Sequence, residues 1–190
     1  MDELTLLDWK RRIFGLYAEV RAGDDAGAAW RRWCEVRREL YRSHPQSPRL
    51  GAEPRYFPYD AAFRFEASVE RVEPASLEIA GSAGSVTEFT RFAVVRFGEH
   101  TLELYWLDAY GGGIFLPFRD ATSGRETYGA GRYLLDTVKG ADLGGSGDEL
   151  VLDFNFSFNP SCAYDGSWAC PLSPPANRLP VRIEAGELTP

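Results

Sequence analysis

The spacing of the hydrophobic residues changes once along the chain, and this change constrains the fold more than any other feature. Before residue 45 the apolar residues recur every three or four positions, as on one face of a helix; after residue 60 they alternate with polar residues, as in a strand. The segment HPQSPRLGAEPRYFP at 44–58 lies between these two patterns, and its prolines and glycine interrupt regular structure. The sequence therefore predicts a helical part at 1–45 and a β domain at 46–190.

The helical part is predicted to be a hairpin of two helices. Thr5 and Asp8 approximate a capping box for the first helix, and Asp24 or Asp25 is expected to cap the second, which ends before Pro45. The apolar positions are Leu6, Trp9, Ile13, Leu16 and Val20 in the first helix and Trp30, Trp33, Cys34, Leu40 and Tyr41 in the second. A stripe with two tryptophans is too apolar to stay in water, so we expect it to pack on the β domain. The alternative is a partner surface, such as a homodimer contact.

The rest of the chain is predicted to be mainly β. In FRFEASV at 63–69 apolar and polar residues alternate, as in a half-buried strand. Similar runs follow at 77–79, 89–97, 101–107, 114–118, 132–138, 150–158 and 181–183. The short links between them, such as GEH at 98–100, favour antiparallel hairpins. We therefore expect a mainly β, α+β fold: an antiparallel β-barrel or two-sheet sandwich of about eight strands, preceded by the helical hairpin.

Charge and composition exclude several classes of partner. The net charge is −7, and residues 51–190 carry eleven basic and twenty acidic groups, which should repel the phosphates of nucleic acids. No apolar run approaches the roughly 18 residues of a membrane-spanning helix. Met1 is followed by acidic residues instead of a secretory signal pattern. We expect a soluble, cytoplasmic protein without nucleic-acid or membrane partners.

The run LVLDFNFSFN at 150–159 is the first candidate for a site. As a strand it would place its leucines and phenylalanines on a core face, with Asp153 and Asn155 on the opposite face, about 7 Å apart at their Cα atoms. Such a pair could share one ligand, and an ordinary solvent-exposed face is the alternative. Because the same run leads to Asn159, we expect polar groups to cluster here.

A second candidate is the loop RDATSGRETYGAGRY at 119–133. It combines Asp120, Thr122, Tyr128 and Arg132 with three glycines. Glycine lets backbone N–H groups approach a ligand, and an arginine can hold a carboxylate or phosphate with two hydrogen bonds. The alternative is a well-formed turn in which the aspartate binds the local backbone.

Two of the three cysteines, Cys162 and Cys170, lie in the loop NPSCAYDGSWACP at 159–171. Seven residues separate them, against two to four in a zinc knuckle, and the histidines His44 and His100 are distant in sequence. A disulfide would be unusual in the cytosol, and a catalytic thiol would need a nearby base or cation. We therefore expect both thiols to be reduced, close together and without metal, in a loop folded over the sheet.

Four stretches resemble a known family. They are RYFPYDAAFRFEA, FRDATSGRETYGAGRY, LDFNFSFNPSCAY and ACPLSPPANRLPVRIEAGE, and in this order they look like domain-of-unknown-function family 1684, in a short form, over about residues 54–187. Ser161 and Ser173 stand where the family pattern has prolines, and Ala176 where an acidic residue is common. The resemblance supports grouping these motifs and implies no activity.

Three functions remain open at this point. The first is binding of a small polar or anionic molecule between the 119–133 loop and the 153–170 segment, by Asp120, Thr122, Tyr128, Arg132, Asp153, Asn155 and Asn159. The second is an enzyme that uses Asp153 or Asp120 as general base, with Tyr128 or Cys162 in the same cleft. The third is a structural or dimerisation protein. The sequence indicates no metal site and does not identify a cofactor.

Overall fold

The computed structural model describes residues 2–190, which form two helices followed by a β-sheet. The helices are α1 (Glu3–Ala22) and α2 (Ala26–Ser43). The strands are β1 (Arg64–Ala80), β2 (Val86–Phe97), β3 (His100–Leu107), β4 (Gly113–Phe118), β5 (Arg132–Asp136), β6 (Gly145–Ser146) and β7 (Glu149–Asp153). Within 2–190, neither helix is both long enough and apolar enough to span a bilayer.

The helical hairpin forms where the periodicity predicts it, with one difference at its start. Helix α1 begins two residues earlier than the predicted cap, because the carboxylate of Asp2 accepts a hydrogen bond from the amide of Leu4 at 3.2 Å. The prediction of Thr5 as the cap is therefore wrong. Asp25 caps α2 as predicted, accepting from the amide of Ala28 at 2.9 Å.

The tryptophan stripe of α2 lies against residues of the β domain of the same chain. Trp33 is completely buried, and its ring lies edge-on to Phe156 and Tyr56, with centroid distances of 5.4 and 5.3 Å. Helix residues and strand residues share one hydrophobic core. A homodimer contact through the hairpin would therefore have to use a face other than this stripe.

The seven strands form one antiparallel sheet in the order β5-β4-β3-β2-β1-β7-β6. This confirms the mainly β, α+β class. The sheet is not closed into a barrel, because the strands at its two edges, β5 and β6, do not pair with each other. The predicted run 77–79 belongs to the long strand β1, and no strand forms at 181–183. The short strand β6 was not predicted.

The prediction of one continuous strand over 150–158 is wrong. Strand β7 ends at Asp153, and a single 3₁₀ turn, Phe154–Phe156, follows. The side chain of Asp153 caps this turn by accepting from the amide of Asn155 at 3.0 Å. The backbone turns although the apolar alternation continues, so Asp153 and Asn155 are both buried and do not lie on an open face.

Candidate functional site

The polar residues of the 119–133 loop form a buried network around the ion pair between Asp120 and Arg132, whose closest atoms lie 3.3 Å apart. Oδ2 of Asp120 accepts hydrogen bonds from the amide and hydroxyl of Thr122, at 3.1 and 2.8 Å, and from the amide of Ile183, at 2.8 Å. The hydroxyl of Thr122 also lies 2.8 Å from that of Thr127. These contacts join the loop to the C-terminal segment.

Arg132 directs its guanidinium at groups of its own chain. It donates to the carbonyl oxygens of Ala185 and Ile183, the latter at 3.1 Å, and it lies 5.0 Å from the centroid of the Phe118 ring. Burial lowers the pKa of Arg132, and the neighbouring Asp120 opposes this shift. Because the side chain is 1% exposed, an external anion could reach it only by displacing these contacts.

Asn159 belongs to another buried network, one that sequence reasoning missed. Its side-chain amide donates to Glu187 at 3.1 Å and to the carbonyl oxygen of Leu188 at 2.7 Å. Glu187 forms a buried ion pair at 2.8 Å with Arg37 of α2 and accepts a hydrogen bond from the hydroxyl of Tyr164. The only sequence signal for this network was Arg37, which lies four residues from both Trp33 and Tyr41 on the apolar side of α2. This network ties the hairpin to the β domain.

Asp153 and Asn155 contact each other through the capped turn, although the predicted strand does not form there. The side chain of Asn155 pairs with the backbone of Asp60, donating to its carbonyl at 2.8 Å and accepting from its amide at 3.0 Å. It also donates to Oδ1 of Asp153 at 2.8 Å. In contrast, Oδ2 of Asp153 is buried and has no hydrogen-bond partner within 2–190. Burial raises the pKa of the Asp153 carboxyl, and hydrogen bonds from Asn155 partly offset this.

Asp153 lines a cleft of about 450 Å³ between the hairpin and the sheet. The cleft is bounded by the end of α1, the start of α2, and strands β1, β6 and β7. Its charged lining residues are Arg21, Arg64, Glu66, Glu149 and Asp153. Arg21 pairs with Asp142 at 3.4 Å and Arg64 with Glu66 at 3.7 Å. Within the described part of the chain, the carboxylates of Glu149 and Asp153 have no ion-pair partner at this cleft.

The two cysteines of the 159–171 loop are neighbours, which confirms the predicted proximity. The amide of Cys162 lies 3.4 Å from Sγ of Cys170, both thiols are free, and both are buried. The hydroxyl of Tyr128 lies 3.8 Å from Sγ of Cys162. Burial raises the pKa of Cys170 and raises that of Tyr128 to about 12. The group next to Cys162 is thus a phenol, which is a weak base partner for a thiol.

The cysteine loop is held by hydrogen bonds to the turn between β1 and β2 and to the 44–58 segment. The hydroxyl of Ser82 accepts from the amide of Cys170 at 2.9 Å and donates to the carbonyl oxygen of Trp168 at 2.7 Å. The indole of Trp168 donates to the carbonyl oxygen of Pro48 at 3.1 Å. No group of three or more potential metal ligands occurs among residues 2–190.

The predicted site residues therefore form four groups. Asp120, Thr122 and Arg132 form the first; Tyr128, Cys162 and Cys170 the second; Asp153 and Asn155 the third; and Asn159 with Glu187 the fourth. Neither Tyr128 nor Cys162 lines the cleft at Asp153. Only the third group borders that cleft.

Comparison with known proteins agrees with the sequence motifs. The family described as "Protein of unknown function (DUF1684)" matches residues 52–188. The chain is similar to the solution NMR structure of an uncharacterised protein of Haloarcula marismortui, with 30% sequence identity over 88% of this chain and 98% of that chain and a TM-score of 0.57. No curated protein matches the chain. The chain belongs to the DUF1684 family of proteins of unknown function.

Proposed function

We propose that this protein binds a small polar molecule in the cleft at Asp153. One observation carries the proposal: Oδ2 of a 2% exposed carboxylate has no hydrogen-bond partner within the described residues, and that carboxylate lines a cleft of about 450 Å³. Leaving a buried polar atom unpaired costs about 1–3 kcal/mol, and more for a charged group. A ligand that donates a hydrogen bond to this oxygen would recover that cost.

The charges of the lining favour a ligand that is neutral or positively charged. Arg21 and Arg64 form ion pairs with Asp142 and Glu66, whereas Asp153 and Glu149 form none at the cleft, and only the more distant charge of Arg64 acts on Asp153. The ligand class is therefore a small amine or a polyhydroxylated molecule that directs N–H or O–H groups at Asp153. The cleft volume lies within the range of about 300–1,000 Å³ that is usual for small-molecule sites.

A thermal-shift screen tests this proposal. The probes are primary amines, amino alcohols, sugars and flavins, each at millimolar concentration, with acetate and phosphate as anionic comparisons. We expect amines or polyols to raise the unfolding temperature of the natural protein and to lose this effect in Asp153→Asn. The new amide would present an N–H donor where the ligand needs an acceptor. Absence of hits, or hits that Asp153→Asn leaves unchanged, would contradict the proposal.

Asp148→Asn is the matched control for that screen. Asp148 lies in the turn between β6 and β7, is exposed, and is not among the residues that line the cleft. The same loss of one carboxylate at this position should leave ligand binding unchanged. A general effect of net charge would weaken binding equally in both variants and would argue against a site at Asp153.

An enzyme that uses Asp153 as general base is a second candidate, favoured by the raised pKa of its carboxyl group. Ligands found by the screen would be incubated with the protein and followed by NMR spectroscopy. Conversion by the natural protein that is lost in Asp153→Asn would support catalysis. Binding without conversion would leave the protein as a binding module.

A further inference from the structure

A second cleft, of about 410 Å³, lies on a different part of the β domain from the cleft at Asp153. One wall is the C-terminal end of strand β1, which continues beyond the residue paired with the start of β7. The other wall is the segment 172–175, attached to this edge by a hydrogen bond of 3.0 Å from the amide of Leu172 to the carbonyl oxygen of Ala80. The apolar lining residues are Leu77, Ile79, Ala80, Ala130, Leu172, Pro174 and Pro175.

Arg119 supplies the only positive charge among the residues that line this second cleft. Its side chain forms no ion pair and no hydrogen bond within residues 2–190, and its Nε is buried without a partner. By contrast, its backbone is held firmly, since its amide donates to Asn177 at 2.9 Å and its carbonyl accepts from Leu179 at 2.8 Å. The fold thus fixes the backbone of Arg119, while its guanidinium has no partner of its own within residues 2–190.

Ser173 gives a second, independent indication at the same place. Its side chain is 9% exposed, lines the cleft, and has a buried hydroxyl without a hydrogen-bond partner in the described chain. Ser173 and Arg119 approach each other across Gly131: a Cβ on this glycine would lie 2.9 Å from Cγ of Arg119 and 3.0 Å from Cβ of Ser173. The side chains of Arg119 and Ser173 therefore start close to each other on residues that line the same cleft, and each carries a buried polar atom without a partner in the described chain.

From these contacts we infer that the protein has a second binding site, for an organic monoanion with an apolar body, such as a medium-chain carboxylic acid. The carboxylate would accept hydrogen bonds from Arg119 and Ser173, which are the unpaired polar groups of the cleft. The hydrocarbon chain would lie against the leucine, isoleucine and proline side chains of the two walls. A short, strongly hydrated anion would gain little from those walls.

Titration with octanoate, followed by isothermal calorimetry and by NMR chemical-shift changes, tests this inference. We expect octanoate to bind the full chain at submillimolar concentration, acetate not to bind in that range, and 1-octanol to bind at least tenfold more weakly than octanoate. Arg119→Gln should weaken octanoate binding at least tenfold. No binding by the natural protein, or equal binding by Arg119→Gln, would overturn the inference.

Two further substitutions separate the role of Arg119 from a general change in charge or stability. Glu78 is an exposed acidic residue of the same cleft, so Glu78→Gln should leave octanoate binding unchanged or strengthen it. Arg178→Gln removes an exposed arginine of the neighbouring segment that does not line the cleft, and it should leave binding unchanged. If Arg119→Gln does not fold, Arg119→Lys replaces it. Lysine keeps the positive charge but not the forked set of donors, so we expect Arg119→Lys to bind octanoate measurably but more weakly than the natural protein does.

The outcome is independent of the cleft at Asp153. Asp153→Asn should leave octanoate binding unchanged, since Asp153 does not line the second cleft. If octanoate binding depends on Asp153 but not on Arg119, the second site is wrong. If amines fail at Asp153 while octanoate binds through Arg119, the proposed function fails and the second site stands.

Discussion

Two aspartates of this protein, Asp120 and Asp153, are almost equally buried, at 3% and 2% exposure, yet their surroundings differ. Asp120 accepts hydrogen bonds at both oxygens and forms an ion pair with Arg132. Asp153 accepts hydrogen bonds at Oδ1 only, and its Oδ2 has no partner in the described chain. Burial therefore does not distinguish the two residues, whereas hydrogen-bond completeness does.

This difference shows that polar residue types alone are a poor guide to a site. The 119–133 loop has the more suggestive composition, with an aspartate, threonines, an arginine and glycines, but its side chains bind one another and the C-terminal segment. A polar group that is fully paired inside the protein has little to gain from a ligand. A buried group that lacks a partner has more to gain, and this favours Asp153 and Arg119 as the residues to test.

Removal of the Asp120 carboxylate should have the largest effect. Asp120→Ala leaves the guanidinium of Arg132 buried without its counter-charge, and breaking a buried pair on one side costs about 3–5 kcal/mol. Urea unfolding followed by circular dichroism measures this loss. The matched control is Glu126→Ala, which breaks the exposed pair with Arg182 at 2.8 Å and should cost less than about 1 kcal/mol.

The double variant Asp120→Leu/Arg132→Met refines this test. It removes both charges and replaces them with apolar side chains, so it should be more stable than Asp120→Ala alone. If Asp120→Ala costs no more than the exposed control, the network does not stabilise the fold and the contrast between the two aspartates is wrong.

Cys162 offers an intermediate case, because it is buried but belongs to neither of the two aspartate networks. Cys162→Ala should lower the free energy of unfolding by about 1–2 kcal/mol through lost packing. In the folded protein, Cys162 and Cys170 should react slowly with a thiol reagent, and both should react quickly in urea, since both are buried. Rapid labelling of Cys162 alone in the folded protein would contradict this expectation and would support the nucleophile alternative.

The smallest effect on the free energy of unfolding is expected at Asp153. There the informative quantity is how this free energy changes with pH. Burial raises the pKa of this carboxyl above its ordinary value of 3.8. As pH rises past 3.8 the unfolded chain loses this proton while the folded chain keeps it, so this group lowers the stability of the natural protein with rising pH. The loss continues until the pH passes the raised pKa of the folded state.

Asp153→Asn removes this titration and should change the free energy of unfolding by no more than about 1 kcal/mol near neutral pH. Relative to the natural protein, the variant should become more stable as pH rises past 3.8, until the pH passes the raised pKa of the folded state. Urea unfolding at a series of pH values measures the difference. A difference that does not change with pH would show that the Asp153 carboxyl titrates alike in the folded and unfolded states.

Local patterns predicted the elements whose formation depends on neighbouring residues. The helical spacing of Leu16, Trp33 and their neighbours predicted the hairpin, and period-two alternation predicted strands β1 to β5. The alternation gave a wrong prediction beyond Asp153, because it continues into 154–158 while the aspartate side chain caps a turn of the backbone. A capping hydrogen bond within two residues leaves no separate signal in the hydrophobic pattern.

The sequence predicted only those candidate site residues that neighbouring residues mark. The sequence pointed to Asp153 because the residue is acidic and lies beside Asn155, a local property. It missed Arg119 and the pair of Arg37 with Glu187, since the partners of these residues lie far along the chain or are absent. Whether an arginine is paired depends on which segments fold against it.

By itself the sequence determined the two helices, the antiparallel strands, the acidic surface and the family motifs, since each depends on residues close in the chain or on their sum. Only the tertiary structure decided that the sheet stays open, that Asp120 and Arg132 satisfy each other, and that Asp153 and Arg119 do not find partners. Hydrogen bonds and ion pairs act over about 3–4 Å, so their completeness is set by which distant segments the fold brings within that distance.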